Sequence, residues 1–142
     1  MPPTVVALHL CPSSRGPLLP VPRAWALGDQ GLQGDRHARA GSARQVLLVE
    51  EEVLDELGLK AGQVREQVTV RGLRLNDLEF GARLRIGDAL FEVAGPCAPC
   101  ERMNELRMGL KQTLEGRRGR FLRVVAPGAF SVGDTISLEP KF

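Results

Sequence analysis

Two cysteines stand three positions apart in Gly95-Pro96-Cys97-Ala98-Pro99-Cys100. Proline on either side of Cys97 fixes φ and removes backbone donors, so the loop is stiff and suited to holding a thiol in place. The apolar run Leu90-Phe91-Glu92-Val93-Ala94 ends at this loop and reads as the strand that delivers the thiols. Such a pair supports several chemistries. A redox dithiol can close a disulfide and has a lowered thiol pKa, but the βαβ setting that usually accompanies one does not precede it. Half a zinc site needs two further ligands, for which Cys11, His9, His37 and carboxylates remain. A nucleophilic or metal-binding thiolate at Cys100 would be favoured by Arg102 and by the dipole of a helix starting there. The bland alternative is a pair of thiols filling a turn.

A second group is Gly34-Asp35-Arg36-His37. Glycine exposes backbone N–H groups, Arg36 is cationic and His37 is titratable, which together suit an anion or a cofactor. A surface turn with a solvated arginine is the plain reading. Arg44 and Arg65 stand near the starts of strand-like runs, where they point into a barrel mouth or into solvent. Arg117, Arg118 and Arg120 form a glycine-bounded basic corner that suits phosphate, or an ordinary charged loop. The sequence contains no Walker-type phosphate loop, no dinucleotide Gly-x-Gly-x-x-Gly and no Gly-x-Ser-x-Gly. Hydrolase chemistry therefore has no support.

The elements that position these groups belong to one domain, residues 1–142, since this length builds one core comfortably and two poorly. Aromatics are 4%, too few for stacking-based recognition of single strands, and a net charge of +2 does not argue for a nucleic-acid or membrane partner. No apolar run approaches the roughly 20 residues of a bilayer span, and the N-terminus does not read as a signal peptide. We therefore expect a cytoplasmic protein with reduced thiols, in which Cys11 is a small buried apolar residue.

Strand-like runs cover 4–10, 23–27, 44–49, 64–70, 83–86, 89–94, 121–125 and 132–138. Helical spacing covers 50–57, closed by Gly58, and recurs over 101–120, where Gly109 weakens the middle. Gly87-Asp88 reads as a hairpin turn, and Gly133-Asp134 as another turn. Most connections are too short for parallel crossovers. The expected fold is mainly β, a mostly antiparallel and partly closed barrel with about two helices. Its exposed edges would allow a homodimer.

In order, Gly31-Leu32-Gln33-Gly34-Asp35-Arg36-His37, Arg44-Gln45-Val46-Leu47-Leu48, Val64-Arg65-Glu66-Gln67-Val68, residues 78–89, the Cys97–Cys100 loop and Val132-Gly133-Asp134 resemble the MOSC domain, named for the C-terminal part of molybdenum cofactor sulfurase. The resemblance spans residues 4–140 and is closest to small stand-alone bacterial members. It implies a barrel-like fold and a functional cysteine at a strand end, which aligns with Cys100. Cys97 looks like an addition found in such small members. Members of this family are proposed to carry sulfur as a persulfide. Others hold molybdenum cofactor with this thiolate as a molybdenum ligand and reduce N-hydroxylated compounds, and soft thiolate suits either role. Arg36, His37, Arg44, Arg65 and Gln67 become the expected cofactor-binding rim, and Gln67 replaces an asparagine of the family pattern. Cys97 would resolve a persulfide on Cys100 by attack and disulfide formation. The implied partner is a sulfur donor such as a cysteine desulfurase, or an electron-donor protein for the reductase reading. A thiol-redox or binding module without metal is the remaining alternative. No pyridoxal phosphate is expected, because nothing in the sequence offers the setting of its lysine.

Overall fold

The structure is a computed structural model and describes residues 2–97 and 101–140. Cys100, and with it every role expected of that thiol, lies outside those residues. The described residues are mostly β, with two sheets and three short α-helices.

The larger sheet contains β1 (Thr4–Leu10), β2 (Leu19–Pro20), β5 (Val46–Glu50), β6 (Val68–Arg71), β7 (Arg83–Ile86), β8 (Ala89–Pro96), β9 (Arg120–Ala126) and β11 (Ile136–Glu139). Its strand order is β11-β7-β8-β9-β5-β6-β1-β2. The sheet curls until its two ends meet. Thr4 bridges Thr135, and the Val5 and Ile136 N–H groups donate to the Asp134 and Pro3 carbonyls. A smaller sheet of β3 (Arg23–Leu27), β4 (Gly31–Leu32) and β10 (Gly128–Ser131), in the order β10-β3-β4, packs against it. Their shared core includes Val5, Leu48, Phe91 and Leu122 from the large sheet and Ala24, Leu32 and Phe130 from the small one. The rings of Phe91 and Phe130 meet edge to face, with centroids 5.3 Å apart.

The expected antiparallel pattern holds for every named strand pair except one. β5 and β6 run parallel, and the crossover between them carries α1 (Glu51–Glu56). A parallel pair needs such a crossover, and residues 51–67 are long enough to supply it. The strand at the end of this crossover starts at Val68, not at 64. Residues 62–67 form an irregular loop in which Arg65 has φ 64°.

β5 explains the unbroken apolar run Val46-Leu47-Leu48-Val49. Successive strand side chains point to opposite faces. Val46 and Leu48 enter the barrel core, while Leu47 and Val49 enter a second cluster with Val53, Leu54 and Leu59. That second cluster also takes Met103 from α2 (Glu101–Leu106) and Leu110 from α3 (Leu110–Thr113). The expected helix over 101–120 is thus two short helices. Gly109 lies between them with φ 82°, a left-handed conformation that ends one helical path and starts another. Among the described residues, no helix is long and apolar enough to cross a membrane.

Candidate functional site

The loop after β4 is built on Asp35. Its side chain is fully buried. It accepts from the Cys11 N–H at 2.6 Å, from the His37 N–H at 3.0 Å and from Gln67 Nε2 at 3.1 Å. His37 Nδ1 lies 3.1 Å from the same carboxylate. An ionised carboxylate can only accept, so this contact places the imidazole proton on Nδ1. The Nε2 lone pair is left to accept from Arg36 Nη1, 3.1 Å away. Burial by itself would raise the Asp35 pKa; the hydrogen bonds from His37, Cys11 and Gln67 outweigh it and hold the carboxyl below its ordinary value.

Gln67 sits just before β6 and is 2% exposed. Its Oε1 accepts from the Leu47 N–H at 2.8 Å, while its Nε2 donates to Asp35. The amide thus ties β5 to the Asp35 loop. Arg65 reaches across from the crossover. Its Nη1 donates to the Gly16 carbonyl at 3.0 Å and its Nη2 to Cys11 Sγ at 3.0 Å. Cys11 is buried, as expected, yet it is also a polar joint, because its Sγ donates onward to the Ser13 carbonyl.

These loops surround a cavity of about 460 Å³. Arg36, His37, Arg44, Arg65 and Gln67 all line it, together with Cys97 at the end of β8. Two further arginines complete the wall, Arg102 on α2 and Arg118 before β9. Five guanidinium groups therefore face one cavity that no carboxylate lines among the described residues. Arg44 lies over the Phe121 ring, 5.5 Å from its centroid, which holds its charge at the wall. Cys97 is fixed through its backbone, with its N–H donating to the Gly119 carbonyl at 3.0 Å.

Arg118 was legible only as part of a basic corner. The structure separates the three arginines of that corner. Arg117 pairs with Glu56 at 2.6 Å, and Arg120 donates to the Asn76 side chain at 3.1 Å. Arg118 is 6% exposed. Its Nη2 donates to the Val64 carbonyl, while Nε and Nη1 are buried without a hydrogen-bond partner among the described residues. Asp35 was quoted in its motif but given no role, since an isolated acidic residue reads as surface. Its partners lie 24 and 32 residues away in Cys11 and Gln67, a separation that local pattern does not reveal. Among the described residues, no three His, Cys, Asp or Glu side chains gather into a metal-binding group.

The wall can hold an anion, and the Cys97 loop brings sulfur to the same space. A molybdenum cofactor carries a phosphate and a thiophilic metal. Five arginines with an orphaned buried guanidinium fit the first, and a thiol on the same wall fits the second.

No curated relative matches the sequence. Solved structures do match the fold. YuaD from Bacillus subtilis superposes with a TM-score of 0.81 at 21% identity, covering 96% of this chain and 94% of that one. YiiM from Geobacillus stearothermophilus gives 0.79 at 20% identity, with 98% and 76% covered. YiiM from Escherichia coli gives 0.74 at 22% identity, with 98% and 71% covered. At these identities the likeness is one of fold. The family model for the MOSC domain matches residues 35–137, a span from the buried aspartate of the site through the cysteine loop to the last turn. A curled β-sheet, a cysteine at the end of one of its strands and a family model covering most of the chain agree, and the chain belongs to the MOSC domain family.

Proposed function

We propose that this protein handles sulfur in connection with the molybdenum cofactor, through the Cys97–Cys100 pair. The observation that carries the reading is the single cavity on which five arginines and the Cys97 thiol converge. In this reading Arg36, Arg44, Arg65 and Arg118 hold the phosphate of the cofactor, and a cysteine of the loop supplies a soft ligand or a carried sulfur. The bound group would supply a metal centre able to accept sulfur or to exchange electrons. Gln67 and His37 orient the wall through Asp35, since the Gln67 amide is already bonded at both ends. Cys100 carries the persulfide. Attack by the Cys97 thiolate on the Cys100 sulfur forms the disulfide and releases hydrosulfide. The setting is cytoplasmic, where thiols stay reduced, and the donor is a desulfurase or another sulfur source.

A second reading is favoured by the Cys97 thiol on the same wall as the arginines, which suits an anionic cofactor bearing a thiophilic metal. In that reading the protein is a molybdenum-dependent reductase of N-hydroxylated compounds, and electrons come from a partner protein.

Intact mass and metal content, measured on one fresh preparation from a cofactor-making host, separate the two. Sulfur handling predicts a mass gain of one sulfur, lost on reduction and absent when Cys97 and Cys100 are both changed to Ser. Bound molybdenum with unmodified thiols would favour the reductase. A preparation with neither signal, which also refuses sulfur from a desulfurase and refuses added cofactor, would sink both.

A further inference from the structure

We propose that the arginine cavity also binds a small sulfur oxyanion of the thiosulfate class, and that Cys97 takes the outer sulfur from it. The inference rests on the sulfur-handling reading above and names the donor for it. Its starting point is Arg118. A buried cation is ordinarily paired, and a buried N–H group ordinarily finds an acceptor. Arg118 has its Nη2 bonded to the Val64 carbonyl and its Nε and Nη1 unpartnered. Its two basic neighbours have found partners outside the cavity, Arg117 on Glu56 and Arg120 on Asn76. Arg118 alone of the three lines the cavity. An anion is the missing partner, and no carboxylate lines the wall to serve as one among the described residues.

The second observation is where the thiol sits. Gly119, the residue after Arg118, accepts the Cys97 N–H at 3.0 Å, so the anion-seeking guanidinium and the thiol sit on adjacent, hydrogen-bonded stretches of backbone. A donor with oxyanion charge at one end and a transferable sulfur at the other matches that pairing. A persulfide delivered on the loop of a partner protein brings no oxyanion of its own to the wall.

The step balances without an outside oxidant. The Cys97 thiol loses its proton to water, and the thiolate attacks the outer sulfur of thiosulfate. A new S–S bond forms on Cys97. The S–S bond within thiosulfate breaks, and sulfite leaves with the electron pair.

The test treats the purified full-length chain with thiosulfate and follows both intact mass and released sulfite. Wild type and Cys100→Ser should gain one sulfur and release one sulfite, and Cys97→Ser should do neither. Arg118→Gln should slow the gain about 10- to 100-fold, the scale of one lost charge-assisted hydrogen bond. Sulfate should slow wild type competitively. If Arg118→Gln does not fold by circular dichroism, Arg36→Gln, at an exposed wall position, should slow the gain several-fold. The proposal is overturned if wild type gains no sulfur, if Cys97→Ser gains it as fast, or if the folded arginine variants match wild type. Sulfur accepted from a desulfurase but not from thiosulfate would refute this donor and leave the sulfur-handling reading in place. Refusal of both donors would remove the reading underneath.

Discussion

Asp35 gathers four donor contacts from Cys11, His37 and Gln67 onto one buried carboxylate, and through them it sets the loop that carries Arg36 and His37. Removing the acceptor leaves those donors buried with nothing to bond. Asp35→Ala should therefore cost about 3 kcal/mol, the size of a broken buried network, read from denaturant unfolding at neutral pH. The sign of the pH dependence follows from the lowered pKa. The carboxylate binds its proton less readily in the folded chain than in the unfolded one. Its stabilisation is fully present above the ordinary carboxylate value of 3.8 and is lost as pH falls through the lower folded value. Unfolding free energy measured from about pH 5 downward should fall in wild type and fall less steeply in Asp35→Asn. An unchanged slope in Asp35→Asn would show that other carboxylates control acid unfolding. Sequence pattern reveals little of this, because Asp35 earns its burial from residues remote in the chain. Gly34-Asp35-Arg36-His37 was recognisable as a polar cluster, but which of its members faces inward depends on Cys11 and Gln67.

At the scale of elements, the strands were legible where hydrophobic alternation and turn residues agree. The β7–β8 hairpin is an example, with Gly87-Asp88 between its strands. Helix α1 was legible too, and Gly58 follows it with φ 69°, as a helix-closing glycine should. β10 was missed, since Gly128-Ala129-Phe130-Ser131 has a single large apolar residue, and its pairing with β3 is long-range. The parallel β5–β6 pair was not anticipated, because a continuous apolar run does not state its direction. One glycine joins these elements to the site. Gly119 has φ 129°, and a Cβ there would stand 2.4 Å from the Leu48 carbonyl oxygen on β5. That neighbour is backbone and cannot swing away. Gly119→Ala should destabilise the fold by about 2–4 kcal/mol and should disturb the carbonyl that holds Cys97. Thermal unfolding checks the first effect, and the rate of Cys97 alkylation in the folded Cys100→Ser background checks the second. A variant with native melting and native alkylation would mean that β5 yields to the methyl group at little cost.

Over the whole molecule, the partly closed barrel was legible as a class, while the contact that brings its ends together was not. Closure depends on Thr4 meeting Thr135, two residues at opposite ends of the chain with no local signal that they pair. The same long-range assembly redistributes charge. A net charge of +2 suggested no strong field, yet five arginines from four separate stretches of sequence end on one cavity wall. Apart from the buried Asp35 and Glu66, several acidic residues pair with arginines away from the cavity. Glu56 pairs with Arg117, and Glu51 and Asp55 pair with Arg71. The molecule is therefore near neutral at a distance and strongly positive at short range inside the cavity. This predicts a particular salt response. Raising salt from about 0.1 M to about 1 M shortens the screening length from about 10 Å to about 3 Å. Anion capture steered by the cavity should then slow by about 10-fold, whereas a neutral thiol reagent should react with Cys97 at nearly the same rate. Comparing the salt dependence of an anionic alkylating agent with that of a neutral one on the Cys100→Ser chain reads this directly. Equal salt dependence for both reagents would mean that the arginines act only by contact and that the cavity exerts no field beyond its wall.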